Sequence, residues 1–250
     1  MENKVKKSKN SFYELIKTLF FAGLIAIIFR SVLFEPFNIP SGSMIPSLRI
    51  GDYLFVSKYS YGYSKYSFPF GIMPINGRLF EKIPSRGDII VFRKPGQENI
   101  DYIKRLIGLP GDEIQLLDGR LFINGEIILR KKVEKNSWEK SNQLGEIIKF
   151  TEYLEKFGKN KSHKIIESSD NDFFDNTVKF KVPKDHYFFM GDNRDNSRDS
   201  RTSEVGFVPK INLVGKAEII FFSHNSSARF YEFWKWKNSI RFSRIGKKIE

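Results

Sequence analysis

The sequence predicts a mainly β protein: an antiparallel, barrel-like domain with a small inserted subdomain, carried behind one N-terminal transmembrane helix. Three observations predict it. An apolar run near the N-terminus follows a cluster of lysines. Many short β-rich runs come after it, bounded by Gly, Pro and Asp turns, which is the pattern of antiparallel barrels. One stretch, 131–176, interrupts them with Lys, Glu, Asn and Ser and only weak periodicity.

The helix comes first. Lys4, Lys6, Lys7 and Lys9 precede a run, Leu19 to Phe29, in which Ala22, Gly23 and Ala26 are the only small members. That run alone is too short for a bilayer, which needs roughly 20 residues. Counting from Ser11 to Phe34 gives about 36 Å at a rise of 1.5 Å per residue, with Glu14, Lys17 and Arg30 near the interfaces, where long cations snorkel. The lysine cluster predicts an N-in, C-out orientation. A cleaved signal peptide and a buried core helix are the two competing readings. The small triplet Ser41-Gly42-Ser43 lies too far past the apolar run for a cleavage site, and Val32, Leu33 and Phe34 are bulky. An uncleaved signal-anchor is expected.

The strands come next. Tyr53 to Val56 and Asp88 to Phe92 are β-rich and bounded by Gly51-Asp52 and Arg86-Gly87. Leu121 to Ile123 and Ile127 to Leu129 flank Asn124-Gly125, a hairpin signal because both turn residues tolerate positive φ. Lys179 to Val182, His186 to Met190 and Ala217 to Phe222 are further candidates. The 131–176 stretch reads as an insertion on one rim, outside the core sheet. The tail interleaves Tyr231, Phe233, Trp234 and Trp236 with Arg and Lys, which suits a membrane interface or a last strand with a solvated basic end.

Composition sets limits. Cysteine is absent, which excludes disulfides, a thiol nucleophile and a Cys-based zinc site. The net charge of +13 fits nucleic acid or an acidic membrane surface and does not choose between them.

Three local sequences carry the chemistry. In Pro40 to Leu48, two prolines and a glycine set a tight exposed turn around Ser43. Taken alone, this is an ordinary Ser/Gly loop. In Asp101 to Asp112, Lys104 sits in an apolar run. Strand alternation puts Tyr102, Lys104 and Leu106 on one face. Burial of that face would lower the pKa of the amine, and a base working near pH 8 needs a drop of about 2 units, roughly 3 kcal/mol. The third, Gly191 to Arg201, alternates charges and hydroxyls. It fits a calcium loop poorly, with Arg194 at position three and Ser197 in place of glycine at position six. A self-paired loop packed against a site fits better.

These segments resemble, in order and content, the motifs of type I signal peptidases, the bacterial membrane proteases that remove signal peptides from exported proteins. The stretches that match are Glu35 to Met44, Arg86 to Phe92, Tyr102 to Asp112 and Gly191 to Arg201, with Arg241 to Gly246 similar to that family's tail. The resemblance runs from the anchor to the end, apart from 131–176. It implies a serine endopeptidase in which Ser43 attacks the scissile carbonyl and Lys104 is the general base, one amine replacing His and Asp. It implies an oxyanion held by the Ser43 N–H and the Ser41 hydroxyl. Ser197 matches the serine that orients the lysine, and Asp199 and Arg201 match a structural pair beside the site. An Asp192–Arg105 contact is expected next to them. The resemblance requires no metal and no cofactor.

The family substrate has small residues at the first and third positions before the cut. Shallow apolar pockets are therefore expected from Phe37, Ile39, Pro40, Met44, Leu48, Tyr102 and Ile103, rejecting bulk sterically. The substrate is expected to bind as an added β-strand. One departure stands out: four residues, Thr202 to Val205, separate Arg201 from Gly206, where the family usually has two, and the extra pair is expected to alter a pocket wall.

The expected organisation is a cytoplasmic basic N-terminus over 1–10, a signal-anchor over 11–34, a β-rich catalytic domain over 35–130 and 177–229, an inserted subdomain over 131–176 and a membrane-proximal tail over 230–250. The expected setting is the bacterial plasma membrane, single-pass, with the catalytic domain outside the cytoplasm. The expected partners are exported preproteins and the lipid bilayer, with no nucleic acid, and a monomer is expected. Two rivals are a self-cleaving repressor on the same fold, which would carry a DNA-binding domain that is not seen before Ser43, and a membrane-tethered β module that binds peptides without cutting them.

Overall fold

The computed structural model describes residues 2–68, 75–141, 147–158, 161–225, 227–228 and 231–249. Helix α1 runs over Glu2–Val32. Its apolar part, Ser11–Val32, is 22 residues long, about 33 Å at 1.5 Å per residue, enough to cross a bilayer. Leu15, Leu19, Phe20 and Ile25 all project away from the rest of the chain. The buried-core alternative for this segment therefore fails, since a helix apolar all round needs a cover that the protein does not supply.

The helix stops at Val32, earlier than expected, because Phe34 already pairs with Ser57. Glu35 fixes the exit: it accepts from Arg30 at 2.6 Å and pairs with Lys58 at 2.8 Å. Tyr63 donates its hydroxyl to the Val32 carbonyl at 2.9 Å.

The strands are β1 (Phe34–Asn38), β2 (Asp52–Ser57), β3 (Ile89–Lys94), β4 (Gln97–Gly108), β5 (Glu113–Leu117), β6 (Arg120–Ile123), β7 (Glu126–Ile127), β8 (Arg130–Ser141), β9 (Ile147–Phe157), β10 (Lys161–Glu167), β11 (Phe180–Lys181), β12 (His186–Met190), β13 (Val208–Pro209) and β14 (Leu213–Ser223). They form an antiparallel seven-stranded sheet in the order β1-β2-β14-β3-β4-β12-β13, a four-stranded sheet β11-β5-β6-β7 and a three-stranded sheet β10-β9-β8. The protein is mainly β, as expected. The β6–β7 hairpin turns on Asn124 and Gly125, with φ of 54° and 81°, the paired positive angles that a two-residue hairpin loop demands.

The main sheet buries one apolar layer built on Leu54, Val56, Val91 and Ile220 and another on Ile90, Phe92, Leu106 and Phe189. A third apolar layer joins it to the four-stranded sheet through Ile107, Ile114 and Phe188. The C-terminal segment folds back on β14. Arg244 and Arg241 reach the buried Asp52 carboxylate, at 2.5 and 3.4 Å. The Ile220 N–H donates to Lys247 and its carbonyl accepts from Gly246. Tyr231, Phe233 and Trp234 stay exposed.

The 131–176 stretch, whose periodicity is weak, contains most of β8 and all of β9 and β10. Its inward positions hold charges as well as apolar groups: on β9, Glu152 and Glu155 are buried between Phe150 and Phe157. Each inward charge has a partner. Arg194 clasps Glu155 with both terminal nitrogens, at 2.9 and 2.5 Å, and Lys164 pairs with Glu152 at 2.7 Å.

Candidate active site

Ser43 sits in the loop between β1 and β2. The loop closes on itself through Ile45 N–H to Gly42 and Leu48 N–H to Met44. Met44 and Leu48 are fully buried with Ile39, and Phe37 packs against them. These four residues lie beneath the turn that carries Ser43, among the core side chains. The loop uses them as apolar ballast, and burying them is what holds a short polar turn rigid.

Lys104 lies on β4, opposite Ile90 of β3. Its Nζ is 2.6 Å from Ser43 Oγ, with both side chains buried. Burial pushes the lysine pKa down to about 8, against the more distant carboxylates of Asp199 and Asp192, which raise it. Half of the amine is therefore neutral near that pH, and a neutral amine can accept the serine proton. Ser41 Oγ is 3.4 Å from Ser43 Oγ.

The Gly191 to Arg201 loop backs the pair. Asn193 donates its N–H to the Ser43 carbonyl at 3.1 Å and its side-chain amide to Gly42 at 3.1 Å. Arg201 grips Asp199 through two bonds of 2.9 Å, and Asp199 accepts from the Gly191 N–H. Arg105 grips Asp192 at 2.7 and 2.8 Å. Burial pushes both aspartates up, but the arginine beside each outweighs it and holds the carboxyl below its usual range. A Cβ on Gly191 would lie 2.2 Å from Ser197 Oγ and 2.5 Å from the Ser43 carbonyl, so only glycine fits where the loop passes the nucleophile.

Ser197 is the serine that the resemblance assigns to orienting the lysine. Its Oγ is buried and makes no hydrogen bond of acceptable geometry, to Lys104 or to any other group, although it lies close enough to Asp199 to favour that carboxylate's ionised form. The Thr202 to Val205 stretch does not itself line the cleft, but Glu204 lies 3.7 Å from Arg198, which does. Val205 is buried against the Phe92 layer, and Glu204 pairs with Lys94 at 2.6 Å.

A cleft of about 650 Å³ opens over Ser43 and Lys104. Pro40, Tyr102 and Ile103, named from the sequence as pocket residues, line it together with Ser41. Ile100, Trp138, Phe150, Ile166 and Asn196 line it as well, and sequence reasoning missed them. Asn196 was within reach, being inside the third motif. Trp138 and Phe150 were not, because only the folded insertion carries them to the site.

A model of the signal peptidase family, peptidase S26, matches residues 12–222. A signal peptidase I of Rickettsia typhi is 42% identical over 243 residues, covering 90% of this chain and 89% of that protein. One of Rickettsia akari is 46% identical over 204 residues, covering 80% and 75%. A crystal structure of a signal peptidase I from Enterococcus faecalis is 28% identical and overlaps 54% of this chain and 97% of that one, with a TM-score of 0.32. The two sequence matches decide the assignment: the chain belongs to the signal peptidase family, peptidase S26, the membrane-associated serine endopeptidases that cleave signal peptides from exported preproteins.

Proposed function

We propose that this chain cleaves preproteins with a Ser43/Lys104 dyad through an acyl-enzyme. The observation that carries the reading is the 2.6 Å contact between Ser43 Oγ and a buried lysine whose pKa falls to about 8. Neutral Lys104 takes the proton of Ser43 Oγ as the oxygen attacks the scissile carbonyl. The carbonyl oxygen becomes an oxyanion, held by the Ser43 N–H and the Ser41 hydroxyl. No acceptor faces that N–H among the described residues. The lysine then passes its proton to the leaving amine, and the mature protein departs. Neutral again, it takes a proton from water, which attacks the ester. The signal peptide leaves as a carboxylic acid and Ser43 recovers its proton.

The substrate lies as an added strand. From Gln97 to Lys104, β4 pairs among the described residues with β3 on one side only, while β12 meets it from Arg105 onward. The free edge supplies backbone donors and acceptors beside the nucleophile. Small residues before the cut fit the shallow wall of Pro40, Tyr102 and Ile103. Asp192, Arg105, Asp199 and Arg201 act as the frame of the site, and no cofactor takes part.

For the setting, α1 supports a reading in which the lysine-rich start faces the cytoplasm and the helix crosses the plasma membrane once. In the same reading the chain works as a monomer at the outer surface and takes no nucleic acid. Ser43 follows the helix end at Val32 closely enough to work at the bilayer surface. Ser43→Ala and Lys104→Ala should each abolish cleavage of a model preprotein in detergent while leaving thermal unfolding cooperative. Cleavage by either variant at the normal rate overturns the dyad.

A further inference from the structure

The inserted sheet reaches the cleft. Trp138 on β8 stands opposite Phe150 on β9, and both line the same cleft as Ser43 and Lys104, with Ile166 of β10 beside them. Cross-strand neighbours of this kind share a face. Trp138 is also held from two directions. Its indole N–H donates to Glu152 at 2.8 Å, and the Arg49 guanidinium lies 4.7 Å from its ring centre, within the range of a cation–π contact. With the N–H used and one contact taken by Arg49, the half-exposed ring offers the cleft only carbon.

The wall is rigid relative to the nucleophile. The Ile166 N–H donates to the Asp192 carbonyl at 2.9 Å, Arg194 clasps Glu155, and Ser168 donates from N–H and hydroxyl to Asp195 at 2.6 and 2.7 Å. The same loop then grips Ser43 through Asn193. A wall tied this way can discriminate, because it does not yield to a misfitting substrate.

We propose that Trp138 is a specificity-determining residue. With Phe150 and Ile166 it forms an apolar subsite on the inserted sheet. This subsite takes one apolar side chain of the preprotein, distinct from the small residues next to the cut. The proposal rests on the cleft being where the preprotein is cut. The pocket wall of Pro40, Tyr102 and Ile103 comes from the main sheet and its loop, whereas Trp138 comes from the separate three-stranded sheet. An extended chain held at β4 therefore meets it with a different residue.

The protein has three tryptophans, so Trp234→Phe with Trp236→Phe leaves Trp138 as the sole reporter. In full-length protein carrying Ser43→Ala in detergent, a synthetic peptide spanning a preprotein cleavage region should shift Trp138 emission to the blue and saturate. Replacing the peptide's apolar residues by alanine one at a time should remove the shift at one position. With Ser43 restored, Trp138→Ala should raise KM about tenfold for the parent peptide, at unchanged kcat, and leave KM unchanged for the peptide with alanine at that position. Trp138→Phe should keep most of the affinity. The proposal falls if emission stays constant while the anisotropy of a labelled peptide reports saturation. It also falls if the shift survives every alanine replacement, or if KM rises equally for all peptides, as a merely structural residue would require. Failure of the dyad has a different signature: the Ser43→Ala protein would cut the peptide.

Discussion

Lys104 and Arg105 are neighbours on β4, both cationic and both buried, at 5% and 1% exposure. They point to opposite faces of the strand. On one face Arg105 meets the Asp192 carboxylate in a two-pronged ion pair and donates to Gly87 as well. On the other, Lys104 meets a serine hydroxyl at 2.6 Å, and its nearest carboxylate influences, Asp199 and Asp192, are already committed to arginines. Residue type and partner together divide the roles. A guanidinium cannot lose its proton in a protein, so its burial calls for the carboxylate that Arg105 finds in Asp192. A desolvated ammonium can lose its proton, and Lys104, facing a hydroxyl and not a carboxylate, is free to act as a base.

The largest effect expected from this contrast is on turnover. Lys104→Arg keeps a buried cation beside Ser43 but removes the base. Preprotein cleavage, followed on a gel, should fall at least about a thousandfold, as it should for Ser43→Ala. Retained activity would mean that charge, not proton affinity, is what matters on that face. On the opposite face Asp192→Asn should cost about 3–5 kcal/mol in a denaturant titration, because it strands a buried guanidinium. The double variant Asp192→Leu with Arg105→Met should recover most of the loss, since a buried pair replaced by apolar groups is often neutral.

Next comes stability on the lysine face. The folded state holds the Lys104 proton up to about pH 8 and the unfolded chain up to the ordinary 10.5. Between those values the unfolded state binds more protons, so stability rises with pH, and below about 8 the penalty is present in full. Lys104→Met should therefore be more stable than the wild type at pH 7, by up to about 3 kcal/mol. That advantage should fade as the pH climbs toward 10.5. An advantage that does not change with pH would point to packing instead. The same titration sets the activity profile: kcat/KM should climb about tenfold per pH unit below about 8 and level off above it. The smallest effect belongs to Ser197. With no hydrogen bond to Lys104, Ser197→Ala should cost less than about tenfold in kcat and leave the midpoint of the pH profile unmoved. A shifted midpoint would show that the hydroxyl engages the amine during turnover.

Legibility was uneven across the chain, for physical reasons. The apolar helix and the Asn124-Gly125 hairpin were readable because their signals are local: an apolar run, and two residues that tolerate positive φ. The inserted sheet was not. Its inward positions include Glu152, Glu155, His163 and Glu167, so the alternation that marks a strand carries charge where a reader looks for hydrocarbon. Those charges are buried because Arg130, Lys164 and Arg194 meet them, which no local pattern reveals. Ile39, Met44 and Leu48 illustrate a second limit. Their apolar character was plain, but what a loop residue packs against was not, and here that is the β2 and β14 layer.

Sequence by itself determined the chemistry available to this protein: a serine in a tight turn, a lysine in an apolar strand, a charged loop, and no thiol to compete with them. These are properties of short contiguous segments, written by residue type and spacing. Only the tertiary structure decided that Ser43 and Lys104, 61 positions apart, meet at 2.6 Å, and that the insertion contributes Trp138 to their cleft. Such contacts arise from strand order and from which face of a strand is buried. Those are set by the packing of the whole chain, and no segment specifies them alone.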